Sequence, residues 1–325
     1  MNTKHVCGLL ACLALAGCER DAPAPPPPKP VPAAAAPAAP PSRPATLKEA
    51  RQNFRSALIR QTTPREPIPV APPDVFRTTT YDAAAGKLAA FVTPDPNDGK
   101  KHPAIVWITG GDCNSIGDVW TAAPASNDQT AAAYREAGVV MLFPSLRGGN
   151  ENPGQREGFL GEVDDVIAAA DHLAALDYVD PDRIYLGGHS TGGTLVLLAA
   201  EYSDRFRAVF SFGPVDEIAG YGSELLPFDT HRPQELELRS PGRWLGSIRS
   251  PTFVFEGLDR GNAGPFHAMN LASTNPRLSF VAVDGADHFS VLAPMNRLIA
   301  RKILADAGPA AAFAFPDSEI RDALR

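Results

Sequence analysis

Arg183-Ile-Tyr-Leu-Gly-Gly-His-Ser190-Thr-Gly-Gly-Thr194-Leu-Val-Leu-Leu-Ala-Ala200 joins two apolar runs through a cluster of glycines around one serine. The first run reads as a buried strand and the second as a buried helix. Their junction, Gly188-His189-Ser190-Thr191-Gly192, fits the G-x-S-x-G pattern of a nucleophile elbow. In that turn the serine backbone is strained and its hydroxyl presented, while flanking glycines leave room for backbone that Cβ atoms would block. A Walker-type phosphate loop needs Gly-Lys-Ser/Thr, but Gly193 is followed directly by Thr194.

The alternation extends in both directions. Residues 76–81 and 88–92 read as a strand pair about the Ala85-Gly86 turn. Residues 104–109 (Ala-Ile-Val-Trp-Ile-Thr), 139–143, 184–186, 208–212, 252–256 and 278–283 read as further strands. Residues 46–60, 130–137, 161–176, 191–202, 263–272 and 291–305 read as helices, the first capped by Thr46 and the second closed by Gly138. Continuous apolar strands alternating with helices imply an α/β fold with a mostly parallel central sheet flanked by helices. After the sixth strand, residues 214–250 break the rhythm with Pro, Gly and scattered charge. They are expected to make an excursion over the sheet's carboxyl edge.

A serine hydroxyl becomes a nucleophile when a base removes its proton. His288, in Asp284-Gly-Ala-Asp-His-Phe289, lies between the last strand and the last helix, where a loop returns to the edge carrying the serine. His102, His172, His231 and His267 read as surface or core residues, and His189 as one that shapes the site without facing it. The order serine, acid, histidine puts the acid after residues 252–256. Asp259 in Gly257-Leu-Asp-Arg260 is the first choice, with Glu256 and Asp216 as alternatives. The backbone N–H of Thr191, and that of Gly111 or Asp112 in Thr109-Gly-Gly-Asp112, are the expected oxyanion donors. Cys113 reads as a packed thiol, since no basic neighbour stands beside it.

Together these residues resemble the α/β-hydrolase superfamily, and within it the branch of prolyl oligopeptidases and dienelactone-hydrolase-like enzymes. The matching features are residues 183–194, Asp164-Asp165 with Asp180-Pro-Asp-Arg183, and Phe143-Pro-Ser-Leu-Arg-Gly-Gly149, within a resemblance covering residues 70–306. The resemblance implies an α/β-hydrolase fold and a serine hydrolase using Ser190, an acid near Asp259, and His288. Where the family commonly has His-Gly-Gly before the oxyanion loop, this chain has Thr109-Gly110-Gly111.

The chain of 325 residues carries 44% hydrophobic and 21% charged residues, enough to bury a core, and a net charge of −7 that does not suit a nucleic-acid binder. The N-terminus has a basic start, an apolar run and Leu15-Ala-Gly-Cys18, which resembles the lipobox of bacterial lipoproteins. The expected organisation is a signal peptide over 1–17, lipidation at Cys18, and a Pro/Ala-rich tether over 18–45. A short helix and linker over 46–66, the hydrolase domain over 67–306 and a tail over 307–325 follow. The domain would then face the periplasm from a lipid anchor. Glu19, rather than aspartate, after Cys18 leans toward the outer membrane.

The expected activity is cleavage of an ester or a peptide/amide bond through an acyl-enzyme, with no cofactor, no metal and no nucleic-acid partner. No H-E-x-x-H is present. The contrasting expectation is a catalytically silent hydrolase-fold lipoprotein that binds a ligand or scaffolds the envelope. The anchor itself is testable: Cys18→Ser should abolish incorporation of radiolabelled fatty acid and release the protein from membranes, whereas unchanged labelling contradicts lipidation at Cys18.

Overall fold

The apolar runs pair in parallel because both of their faces must be covered. The structure, a computed structural model, describes residues 45–61 and 66–325, so the expectations for residues 1–44 lie outside the described residues. Arg77–Ala83 (β1), Gly86–Val92 (β2), His102–Ile108 (β3), Val140–Pro144 (β4), Val179–His189 (β5), Val209–Phe212 (β6), Thr252–Gly257 (β7) and Leu278–Val283 (β8) form an eight-stranded sheet ordered β1-β2-β4-β3-β5-β6-β7-β8. β1 and β2 join antiparallel, as do β2 and β4; every other pairing is parallel. The carboxyl ends of β3, β5, β6, β7 and β8 therefore share one edge.

Helices are Leu47–Arg51 (α1), Ala133–Glu136 (α2), Glu162–Ala174 (α3), Thr191–Tyr202 (α4), Pro233–Glu237 (α5), Ala263–Ala272 (α6), Leu292–Ala305 (α7) and Asp317–Ala323 (α8). The period-two alternation of β3 separates the two sides of the core. Ala104, Val106 and Ile108 pack with residues of α3 and α4, while Ile105 and Trp107 pack with residues of α2, α7 and α8. This is the α/β-hydrolase fold, with the excursion after the sixth strand in place. That excursion is tied down from inside. Buried Arg239 pairs with buried Glu235 at 2.6 Å and lies 4.0 Å over the Phe228 ring.

Three local expectations change. The helix expected over 46–60 stops at Arg51. Thr46 forms a capping box with Glu49, but beyond Arg51 the chain bonds outward: Ala57 N–H donates to Glu235, and Ile59 and Arg60 N–H donate to Pro227 O. Tertiary hydrogen bonds replace helical ones. The helix expected over 130–137 begins only at Ala133, because Ala131 sits at φ 46° in a turn that the Asp128 carboxylate holds. Residues 307–325, expected as a tail, join the core: Phe313 stacks edge-on to Phe210 and Phe315 edge-on to Phe255, and α8 packs on α7.

α4 also carries a conflict. Glu201 is buried, and neither carboxylate oxygen has a hydrogen-bond partner among the described residues. Burial pushes its carboxyl well above the ordinary glutamate value, against a smaller pull from Arg51. A raised folded-state value means this group favours folding most below about pH 4, its unfolded titration, and less as pH rises through the folded one. Glu201→Gln should therefore melt at a higher temperature than the parent at pH 7, with an advantage that shrinks toward pH 4. A lower melting temperature for the variant at pH 7 contradicts the buried, unpaired reading.

Candidate active site

Ser190 sits between β5 and α4 at φ 57°, ψ −115°, a backbone conformation that an L-residue adopts only under constraint. The constraint is visible on both sides. Ser190 N–H donates to Phe212 O at the end of β6 (2.7 Å), and Ser190 O accepts from Thr194 N–H (2.9 Å). The first turn of α4 lies hard against the neighbouring strands. A Cβ on Gly192 would stand 2.3 Å from Ile108 O, and one on Gly193 would stand 2.2 Å from Phe212 O. The glycines of the motif are thus explained by close backbone approach.

His288 arrives from the loop after β8, at the same edge. Its backbone N–H donates to Arg260 O (2.8 Å), and its Nδ1 lies 3.1 Å from Glu256 Oε1. Glu256 is fully buried at the end of β7 and also accepts from Asn262 N–H at 3.2 Å. Asn262 in turn donates from its side-chain amide to Gly213 O (2.7 Å). The chain after β6 passes so close under the imidazole that a Cβ on Gly213 would stand 2.3 Å from His288 Cε1. With Nδ1–H donated to a carboxylate, Nε2 is left to accept a proton. Among the described residues, no hydrogen bond joins Ser190 Oγ to His288. Bonds of this kind commonly tighten only when substrate binds.

The acid beside His288 is therefore Glu256, and the first choice, Asp259, is corrected. Asp259 lies on the exposed surface of the loop, where its N–H donates to Ala286 O. Glu256 reaches the imidazole from within β7, whereas Asp259 lies in the loop beyond it. Asp216 lies elsewhere, its carboxylate accepting from Glu217 N–H.

His189, adjacent to the serine, is buried and serves as a brace. Nε2 donates to His288 O (2.9 Å), and Nδ1 accepts from the Gln129 amide (2.7 Å), an assignment that follows from the partners. Burial, helped by nearby His288, holds its pKa down to about 3, so it stays neutral and does not titrate with the site. Gln129 Oε1 also accepts from Gly110 N–H at 3.1 Å. One amide thus links the loop after β3 to the elbow. No sequence motif pointed to Gln129.

The loop after β3 also borders the serine directly, since a Cβ on Gly110 would stand 3.3 Å from Ser190 Cβ. Thr191 Oγ1 donates to Gly111 O (2.9 Å). Because the 111–112 peptide is trans, Asp112 N–H points away from the Thr191 hydroxyl that Gly111 O faces. The Asp112 side chain pairs with Arg156 at 2.8 Å. Burial pushes its carboxyl up, but Arg156, together with hydrogen bonds from Ser115 and Asn114 N–H, outweighs this and holds it below the usual value. Cys113 is buried and free, and burial pushes its thiol up to about 12, which leaves it protonated and a poor nucleophile. Beside these groups opens a cavity of about 500 Å³, bordered by Gly111, Thr191, Phe159 and Tyr221. Among the described residues, no cluster of His, Cys, Asp and Glu is arranged to hold a metal ion.

Comparison with known proteins agrees with this architecture. Residues 125–240, which contain Ser190, match the family model of the prolyl oligopeptidase family. The chain is 31% identical over 133 residues to dipeptidyl-peptidase 5 of Porphyromonas gingivalis, a match covering 38% of this chain and 19% of that protein. It is 28% identical over 118 residues to acyltransferase drtE of Aspergillus calidoustus, covering 35% and 36%. The matches span less than two thirds of either relative. Among solved structures, a puromycin-hydrolyzing peptidase of Mycobacterium tuberculosis superposes with a TM-score of 0.56 at 20% identity, covering 74% of this chain and 41% of that one. The fold is that of the α/β-hydrolases, and its central segment carries the likeness to the prolyl oligopeptidase family.

Proposed function

We propose that the protein is a serine hydrolase that cleaves an ester or peptide/amide bond through an acyl-enzyme, with Ser190 as nucleophile, His288 as base and Glu256 as the orienting acid. The observation that carries this reading is the left-handed Ser190 backbone, at an edge where an imidazole backed by a buried carboxylate also arrives. Ser190 Oγ attacks the carbonyl carbon while its proton passes to His288 Nε2. The carbonyl oxygen gains the electron pair and is met by the N–H groups of Thr191 and Gly111. On collapse, the imidazolium protonates the leaving alkoxide or amine. Water then repeats the sequence on the acyl-enzyme and returns free Ser190. Glu256 keeps Nδ1 protonated and stabilises the imidazolium without taking its proton.

The named activities of the relatives, a peptidase and an acyltransferase, support a common acyl-enzyme, since the two differ in what finally accepts the acyl group. A catalytically silent scaffold would have no need of the strained serine, and nothing in the site favours it.

Turnover of short-chain p-nitrophenyl esters and aminoacyl amides tests the assignment. Ser190→Ala and His288→Ala should each lower kcat/KM by roughly 10⁴–10⁶-fold. Activity equal to the parent in either variant rejects that residue's role.

The choice of acid is tested separately. Glu256→Gln should cost about 10²–10⁴-fold in kcat by favouring the wrong imidazole tautomer. Asp259→Ala, an exposed change, should stay within about twofold. The reverse ordering would restore Asp259.

A further inference from the structure

The cavity beside Ser190 touches Gly111 and Thr191 but not His288. In the proposed reaction the leaving group must face His288, so this chamber lies on the acyl side of the bond to be cut. Its lining is mixed: the paired Asp112 and Arg156 and the side chain of Arg60 border it together with an apolar group of residues. The rings of Phe159 and Tyr221 stack at 5.6 Å with 6° between their planes, and Leu225, Leu226 and Pro227 line the same cavity. At about 500 Å³ it falls within the usual range for small-molecule sites, far larger than an acetyl group needs.

Both walls are unusual in how they are held. Phe159 sits at φ 73°, a strained conformation for a bulky residue. Buried Glu162 gathers the N–H groups of Glu157, Gly158 and Leu160 around it. From the other side, Arg51 donates to Phe159 O (2.9 Å) and Leu160 O (3.1 Å). The opposing wall carries the exposed side chain of Leu225 and would have little to fix it alone. There Arg60 donates to the carbonyls of Glu224, Leu226 (3.1 Å) and Ser223 (3.3 Å). Both guanidinium groups come from residues 46–61, far in sequence from Ser190, and both spend their donors on backbone carbonyls. An arginine used this way fixes the course of a loop, since its planar fork positions several acceptors at once.

We infer that Arg51 and Arg60 are positioning residues for substrate selection: the N-terminal strap holds the two walls of a chamber that takes a bulky acyl group, with its apolar part against Phe159 and Tyr221. This inference rests on the hydrolase reading. The strap couples selectivity to a segment that touches neither Ser190 nor His288. Loosening either wall should weaken binding of a large acyl group more than reaction of a small one.

The test compares p-nitrophenyl 4-phenylbutyrate with p-nitrophenyl acetate. The parent should prefer the larger ester in kcat/KM, and Arg60→Ala should lower that preference about tenfold, through KM rather than kcat. Arg60→Lys, which keeps a donor, should recover part of it. Arg51→Ala should act in the same direction, and Arg51→Lys covers the case in which the alanine variant fails to fold. Calorimetric binding of 4-phenylbutyramide to Ser190→Ala protein gives a readout free of turnover, and it should weaken about tenfold when Arg60→Ala is added. A parent that prefers acetate, an unchanged preference in Arg60→Ala and the Arg51 variants, or no binding to Ser190→Ala protein overturns the chamber while leaving the hydrolase reading intact. Binding that behaves as expected without turnover of either ester would overturn the hydrolase reading instead.

Discussion

Everything at this site depends on holding one serine in a backbone conformation that it would not choose. Ser190 at φ 57° is paid for by its surroundings: the bond to Phe212 O, the bond from Thr194 N–H, and glycines that let α4 press against the ends of β3 and β6. Substituting any of those glycines would put a Cβ inside the van der Waals radius of a strand carbonyl. The strain is therefore locked by packing on three elements rather than by the turn alone. The sheet's parallel order then brings the loops after β3, β6, β7 and β8 to the same edge, so the groups that the serine needs arrive from distant parts of the chain.

A second feature is the use of neutral bracing around the imidazole. Gln129, His189 and the carbonyl of His288 form a hydrogen-bonded run that reaches from the loop after β3 to His288. Because burial keeps His189 uncharged, this brace adds no competing positive charge beside His288. The charged partner of His288 is confined to one side, where Glu256 is also held by Asn262 N–H. The result is an imidazole oriented by geometry on one face and by charge on the other.

Much of this was legible in the chain. The G-x-S-x-G turn between two apolar runs located Ser190, and the spacing of strands and helices placed His288 at the correct edge. The acid was harder, because Glu256 and Asp259 lie within one strand-to-loop passage and only the course of the chain through it decides which carboxylate reaches the ring. Gln129 carries no pattern at all; it matters because the 125–132 turn folds back on the loop after β3. The helix expected over residues 46–60 failed for a related reason. Its amphipathic pattern is real, but Ala57, Ile59 and Arg60 find backbone and carboxylate partners in the excursion that outweigh helical bonds. Long-range partners of this kind leave no periodic trace.

The central claim is that the hydroxyl at this turn is the reactive nucleophile, and mapping a covalent adduct tests it most directly. After incubation with a fluorophosphonate probe, the intact mass should rise by one phosphonyl group per chain. Peptide sequencing should place that group on Ser190, and the His288→Ala protein should label far more slowly. A protein that takes no label under conditions where a control serine hydrolase is fully modified, or that takes it on a different residue, would contradict the account.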